Sequence, residues 1–352
     1  MGQSSEAEQR CSEQDVLLLL RSKGLSIKHL DPETKQRIRD VLFQWYVEEE
    51  ASQGDIAKII GNKTSGYVSW LAKQLGVKAR DFEEARLKGI HEKVRKYERK
   101  PFSGTDEDKA YMLGLRHGDL SAYRPWTSTV RVSTSTTHPA LAELFSSLFQ
   151  GYGHVYRFPR YKKDTGSYEW NLQVLLDQSF DFLICSRTAD WAFVAGSEKT
   201  SLAYLAGLLD AEGSISMCRD KNNTSLMVTF YNTDLSMMNF VVRELTRLGY
   251  SPVGPYLDKP RGFVSPGYHI EMKKDYWKVV IARFKEAQSL LSHLPVKHSE
   301  KHRKKILATS LSFRQSWEAT HSQMEALRAE IHAERDAFVA QARSALESLH
   351  KE

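Results

Sequence analysis

Asp119 and Glu212 stand at matching places in two similar stretches of sequence. Ala110, Tyr111, Gly114, Leu115 and Ser121 of the first recur at one offset as Ala203, Tyr204, Gly207, Leu208 and Ser214 of the second, and the acid falls at that same offset. Two carboxylates brought to one spot repel each other. A divalent cation relieves the repulsion, and hard oxygen ligands select Mg²⁺. A cation so held activates water and stabilises a leaving oxygen in phosphodiester cleavage. One acid ending a helix is ordinarily just solvated; the pairing is what points to chemistry.

The elements that must position this pair also repeat. Each acid ends a helical pattern. Strand-like runs follow at Thr127 to Thr136 and Thr224 to Thr233, then amphipathic helices at His138 to Phe149 and Leu235 to Leu248. Further strand-like pairs come next: Val155 to Lys163 with Tyr168 to Leu176, and Pro255 to Leu257 with Tyr268 to Lys274. Helices from Ser179 and Asp275 close the copies. The unit reads helix, hairpin, helix, hairpin, helix, twice. Two such copies pack most simply about a pseudo-twofold axis. Gly114, Ala206 and Gly207 are small enough to let the first helices touch there and deliver both acids beside the axis.

Leu205-Ala206-Gly207-Leu208-Leu209-Asp210-Ala211-Glu212-Gly213 resembles the motif that names the LAGLIDADG homing endonucleases, and Met112 to Leu120 is a more diverged copy. The resemblance spans roughly Asp106 to Pro295. It implies an α+β fold in which a pseudo-twofold pair of αββαββα units forms a DNA-binding saddle from two four-stranded sheets. It implies metal-dependent cleavage of both strands of a long duplex target across the minor groove. Asp119 and Glu212 would then hold metal, expected as Mg²⁺, against the scissile phosphates. The family's basic residues near those phosphates correspond to Lys273 and Lys274 in the second copy. The first copy reads Leu175-Leu176-Asp177 there, without Lys, which sets a nicking or inactive enzyme beside the two-strand one. His117 replaces the motif's first Asp, a position that does not bind metal, and Leu120 replaces its final Gly, at the helix end that positions Asp119.

The hairpins carry candidate DNA contacts: Arg157, Arg160, Lys162 and Lys163 among Tyr156, Tyr161 and Tyr168 in the first copy, and Arg219, Lys221, Lys259 and Arg261 in the second. A two-stranded ribbon fits a major groove, although many such contacts go to phosphate and carry no sequence information. Residues 52–77 read as a helix-turn-helix, with Ala57, Ile60, Val68 and Leu71 packing its helices and a Val41 to Glu50 helix completing a trihelical unit. Its second helix would present Lys63, Thr64, Ser65, Tyr67 and Ser69 to a groove. Lys297 to Lys305, with five basic residues and one acid, would either clamp backbone phosphate or form a solvated linker. Trp317, Met324, Ile331 and Phe338 recur every seven residues. With Glu334 and Gln341 at companion positions, they make one narrow apolar stripe, for a helix lying back on its own protein or meeting a partner helix.

The expected organisation is a flexible segment at 1–13, a helical domain at 14–100, repeats at 105–198 and 199–296, and a basic linker with a C-terminal helix at 297–352. Lys plus Arg is 50 against 44 for Asp plus Glu, a net charge of +6 that permits a polyanionic partner without requiring one. The longest apolar run, Val16 to Leu20, is far too short to cross a bilayer, which needs about 20 residues. Cys11, Cys185 and Cys218 form neither a metal spacing nor a disulfide framework, which favours a reducing, intracellular setting; a cytoplasmic, nucleoid-associated place is expected, with an organelle as the alternative. The start at Met1 and the end at Lys351-Glu352 lack an intein's terminal nucleophile and His-Asn pair, so a free-standing chain is expected. The reading is thus a monomeric, Mg²⁺-dependent double-stranded DNA endonuclease. Two alternatives stand beside it: a retired endonuclease acting as a transcription regulator, and a maturase binding structured RNA.

Overall fold

The computed structural model describes residues 15–21, 27, 30–49, 51–61, 64–78, 97–126, 128–163, 165–184, 187–264 and 271–349. Contacts divide the chain into two compact units, Met1–Lys96 and Tyr97–Glu352.

In the first unit, Asp31 accepts from the Thr34 amide and Pro32 opens α1 (Pro32–Phe43), a pairing suited to a helix start. The expected Val41 to Glu50 helix is not separate: it is the end of α1, continued by a π turn at Gln44–Glu48. Ser52 caps α2 (Gln53–Ile59) and Thr64 caps α3 (Ser65–Gln74) through side-chain hydrogen bonds. Gly61, at φ +88, makes the turn after α2. Ile56, Ala57, Ile60, Val68 and Leu71 are buried with Ile38, Leu42 and Trp45 in one cluster. Lys63 lies outside the described residues.

The second unit holds the repeat. Its first copy runs α4 (Asp106–Arg116), β1 (Ser121–Trp126), β2 (Thr129–Thr136), α5 (Pro139–Phe149), β3 (Val155–Lys162), β4 (Ser167–Asp177), a 3₁₀ turn and α6 (Arg187–Val194). Its second runs α7 (Glu198–Glu212), β5 (Ser214–Asp220), β6 (Asn223–Asn232), α8 (Leu235–Arg247), β7 (Val253–Lys259), β8 (Tyr276–Ile281) and α9 (Phe284–His293). Two antiparallel sheets share one strand order, β1-β2-β4-β3 and β5-β6-β8-β7. The partner of β7 is therefore Tyr276–Ile281 and not Tyr268 to Lys274, and the closing helix starts at Phe284 instead of Asp275. Residues 265–270 lie outside the described set.

Strand alternation gives each sheet one apolar and one polar face. Val130, Val132, Leu172, Val174 and Leu176 of the first sheet, and Leu226, Val228, Phe230, Val279 and Ile281 of the second, are buried in one continuous core with α4, α5, α7, α8 and α9. The C-terminal segment adds α10 (Ser299–Ser310) and α11 (Trp317–Leu349). Met324, Ile331 and Phe338 of the heptad stripe are buried, so α11 lies against its own protein. It is held by the Trp170 indole, which donates to the Phe338 carbonyl (3.1 Å), and by a backbone hydrogen bond from Trp317 to Asn222 (3.0 Å).

Helices α4 and α7 meet backbone to backbone. A Cβ added at Gly114 would fall 2.7 Å from the Leu208 nitrogen and closer still to the Tyr204 carbonyl; one at Gly207 would fall 3.0 Å from the Leu115 nitrogen and against the Tyr111 carbonyl. No side chain can retreat to make room, because the obstacles are main-chain atoms. We expect Gly114→Ala and Gly207→Ala each to lose about 1–3 kcal/mol of unfolding free energy through overpacking, measured as a lower denaturant midpoint. Gly151→Ala, which meets nothing within 4 Å, should be nearly neutral beside them.

Candidate metal centre and nucleic-acid interface

Glu212 is the last residue of α7 and is half-buried. Asp119 lies three residues past the end of α4, in a final turn where its amide donates to the Leu115 carbonyl (3.1 Å). Gly118 lets the two ends close, since a Cβ there would strike Ala211 and come within 2.7 Å of Glu212 Cγ. The structure thus brings the two acids together. The Asp119 carboxylate is open to solvent yet crowded by protein on its other sides, and it has no hydrogen-bond partner among the described residues. That crowding and then the Glu212 charge raise its pKa from 3.8 to about 6, against the opposing charges of Lys301 and His138. Glu212 accepts from the Tyr276 hydroxyl (3.0 Å), whose own proton is held well above its ordinary range by burial and by that carboxylate.

Behind the acids the helices exchange hydrogen bonds reciprocally. The Tyr111 hydroxyl donates to buried Asp210 (2.6 Å), and at the equivalent place Tyr204 pairs with His117 Nδ1 (2.9 Å). His117 therefore keeps the interhelical tyrosine partner that Asp210 has at the equivalent place. Asp210 also accepts from the amides of Lys297 (2.7 Å) and His298 (3.1 Å), which draws the start of α10 against α7. Burial raises the Asp210 pKa despite these bonds.

The Lys297 to Lys305 run is not a solvated linker. It opens α10, and Lys301 reaches inward to the carbonyls of Leu209 (2.6 Å), Asp210 (2.6 Å) and Ala211 (3.1 Å), the C-terminal end of α7. Burial lowers its pKa to about 8 against the pull of Asp210, Asp119 and Glu212. Burial, with the charge of Lys301, lowers His298 to about 3, so that imidazole is neutral.

On the sheets, register sorts the basic residues by face. Arg160 lies opposite Glu169 and Lys162 opposite Ser167, on the polar face with Tyr156, Asn171, Gln173 and Arg131. Arg157 lies opposite Leu172, on the helix-covered face, where its guanidinium sits 4.1 Å from the Trp170 ring centroid and 4.7 Å from that of Phe338. Arg157 is thus a fastener for α11 and is removed from the DNA-facing set. Tyr161 and Tyr168 share its face, and Arg343 of α11 lies over Tyr168. Lys163 is in the turn after β3. In the second sheet, Arg219 shares the face of Ile215 and Met217 and donates to the Lys221 carbonyl (2.7 Å), in the β5–β6 turn. Lys259 stands over the rings of Phe263 and Tyr276, and Arg261 donates its amide to Asp275 (2.7 Å). Lys273 and Lys274 are exposed bends ahead of β8.

The LAGLIDADG-like domain family matches residues 199–253, which include α7, its acid and the following hairpin. That stretch of the second copy is a LAGLIDADG-like domain. It is similar to mesophilic variants of the homing endonuclease I-DmoI at 19% identity, over 54% of this chain and 95% of that one, with a TM-score of 0.36. The homing endonuclease I-WcaI bound to its DNA recognition sequence is similar at 11% identity, over 53% and 80% of the two chains, with a TM-score of 0.39. Full-length DUF199/WhiA from Thermotoga maritima is similar at 13% identity, over 71% and 74%, with a TM-score of 0.38. Comparison with curated proteins gives no match.

Three residues of the site escape a linear reading. Arg131 and Lys278 stand on the polar sheet faces, Arg131 bonded to the Tyr123 hydroxyl (2.7 Å) and to Gln173, Lys278 paired with Asp258 (2.7 Å). Ser121 pairs through Ser133 to Gln173, and Ser214 through Thr229 to Val280, so Lys278 corresponds to Asn171 of the first copy. Counting alternate residues along β2 would have found Arg131. Lys301, from α10, has no signal in either repeat.

Because Asp119 has a raised pKa in the folded state, its contribution to stability is fully present below about pH 4 and is lost as pH rises through about 6. Asp119→Asn should therefore stabilise the protein at pH 7.5, by about 1 kcal/mol once solvent screening of the exposed carboxylate is allowed for, and not at pH 4. Denaturant midpoints of the two proteins at both pH values check this.

Proposed function

We propose that the chain binds duplex DNA across its two polar sheet faces and hydrolyses phosphodiester bonds with a divalent cation held by Asp119 and Glu212. The observation that carries this reading is the meeting of these two acids, one from each copy, at the C-terminal ends of α4 and α7. The residues suit such an ion. Two hard carboxylates face one region, one of them accessible, and their mutual repulsion is what a cation would relieve. Among the described residues no cluster of three or more His, Cys, Asp or Glu is poised to hold a metal. Mg²⁺ is usually held by one or two carboxylates, completed by water and substrate phosphate. When bound, the cation supplies charge stabilisation for the leaving oxygen and lowers the pKa of a ligated water. The chain's part is to orient the acids: Tyr276 fixes Glu212, and Thr134 donates to the Asp119 carbonyl (3.0 Å).

In this proposal the copies are related by a pseudo-twofold axis along the α4–α7 contact, and the sheets form a saddle over the duplex. Arg131, Arg160, Lys162, Lys259 and Lys278 are its basic contacts, with Lys163, Lys221, Arg261, Lys273 and Lys274 reaching backbone from the turns. The α2–α3 pair acts as a helix-turn-helix. Its α3 exposes Ser65, Ser69, Trp70 and Lys73 and half-exposes Tyr67. Tethering such a module raises affinity through effective concentration.

Two sets of variants test this. A random duplex library incubated with Mg²⁺ should yield enriched cut sequences with the native protein and none with Asp119→Asn or Glu212→Gln, while both variants still retain duplex in a gel-shift assay. A protein that binds duplex and never cuts it with Mg²⁺ or Mn²⁺ acts by binding alone. In the second test, Arg160→Ala and Lys259→Ala should weaken duplex binding and flatten its salt dependence, each by about one phosphate contact if the contact is to backbone. Arg157→Ala should lower thermal stability and leave that slope unchanged.

A further inference from the structure

The three N–H donors of the Lys301 ammonium are all engaged, by the carbonyls of Leu209, Asp210 and Ala211. These acceptors are neutral groups at the negative end of the α7 dipole. The ammonium satisfies orphan carbonyls of the helix end, and among the described residues no carboxylate is paired with it. The residue following the last of these carbonyls is Glu212, and Gly118 places Asp119 beside Glu212. The field of Lys301 is accordingly felt at Asp210, Asp119 and Glu212 together. The other basic groups nearby are already committed. His138 pairs with Glu300 (2.8 Å), Lys305 donates to the Leu294 carbonyl (2.7 Å), and Lys304 lies in the field of Glu300.

We infer that Lys301 is a resident counter-cation of the Asp119–Glu212 centre, fixed on the end of α7, and that it takes the place of a second divalent ion so that the centre binds one. This inference rests on the metal-centre reading above. The charge count supports it: two ionised carboxylates carry −2, Lys301 returns +1, and the remainder suits a single divalent ion shared with phosphate. Because its donors are spent on carbonyls, Lys301 cannot also hydrogen-bond a phosphate. It is a positioning residue that acts through charge.

The test titrates Mn²⁺ alone into the full-length, DNA-free protein and reads free Mn²⁺ by electron paramagnetic resonance. The native protein should bind one Mn²⁺, and Asp119→Asn should lose it. Lys301→Met should bind Mn²⁺ at least about tenfold tighter or take up a second ion, since a unit charge within several ångströms has been removed. Lys301→Arg, which keeps the charge, should match the native protein. Should the methionine variant fail to fold by circular dichroism, Lys301→Gln, which retains N–H donors for the carbonyls, replaces it in the same titration. Asp119-dependent binding with unchanged affinity and stoichiometry in the neutral variants would overturn this inference and leave the metal centre standing. Absence of Mn²⁺ binding in the native protein would overturn both.

Discussion

The close approach of α4 and α7 is the constraint on which the rest of the second unit depends. Gly114 and Gly207 put the main chains in contact, and every other feature of the centre follows from that separation. Gly118 can then lie against Glu212, and Tyr111 and Tyr204 can reach across to Asp210 and His117. Dispersion and reciprocal hydrogen bonds hold the helices together along one stretch. The repulsion of two carboxylates opposes them at one end. The contact therefore holds like charges in proximity that neither helix would adopt alone, and this is how a fold lends electrostatic strain to a site.

Much of this arrangement was legible in the sequence because the repeat is direct. Side-chain size at Gly114, Ala206 and Gly207 and the common offset of Asp119 and Glu212 are local properties of a linear string. The two sheets likewise follow from β-branched runs between amphipathic helices. What the string concealed is set by register. Arg157 and Arg160 look like one basic cluster, yet three residues along a strand reverses the face, and Arg157 ends between Trp170 and Phe338. The β7 partner is hidden because two candidate runs follow it in the sequence, and periodicity cannot say which of them pairs.

Lys301 shows a different limit. A run with five basic residues in nine reads as a phosphate clamp or a solvated linker, since lysine is almost never fully buried without a partner. Its partners here are main-chain carbonyls some ninety residues away, exposed only because α7 stops at Glu212. A helix end is a binding site that no side-chain pattern announces. His117 shows the converse: a departure that a motif comparison counts as loss preserves the interhelical hydrogen bond through an imidazole.

The long helix α11 gives the chain a direction that its duplication lacks. It begins on the β5–β6 turn, where Trp317 donates to Asn222, and passes to the far sheet, where the Phe338 carbonyl receives the Trp170 indole proton. A brace of this kind belongs to one half by connectivity and to the other by docking. The halves are consequently not interchangeable parts: the brace is tied to one and seated on the other.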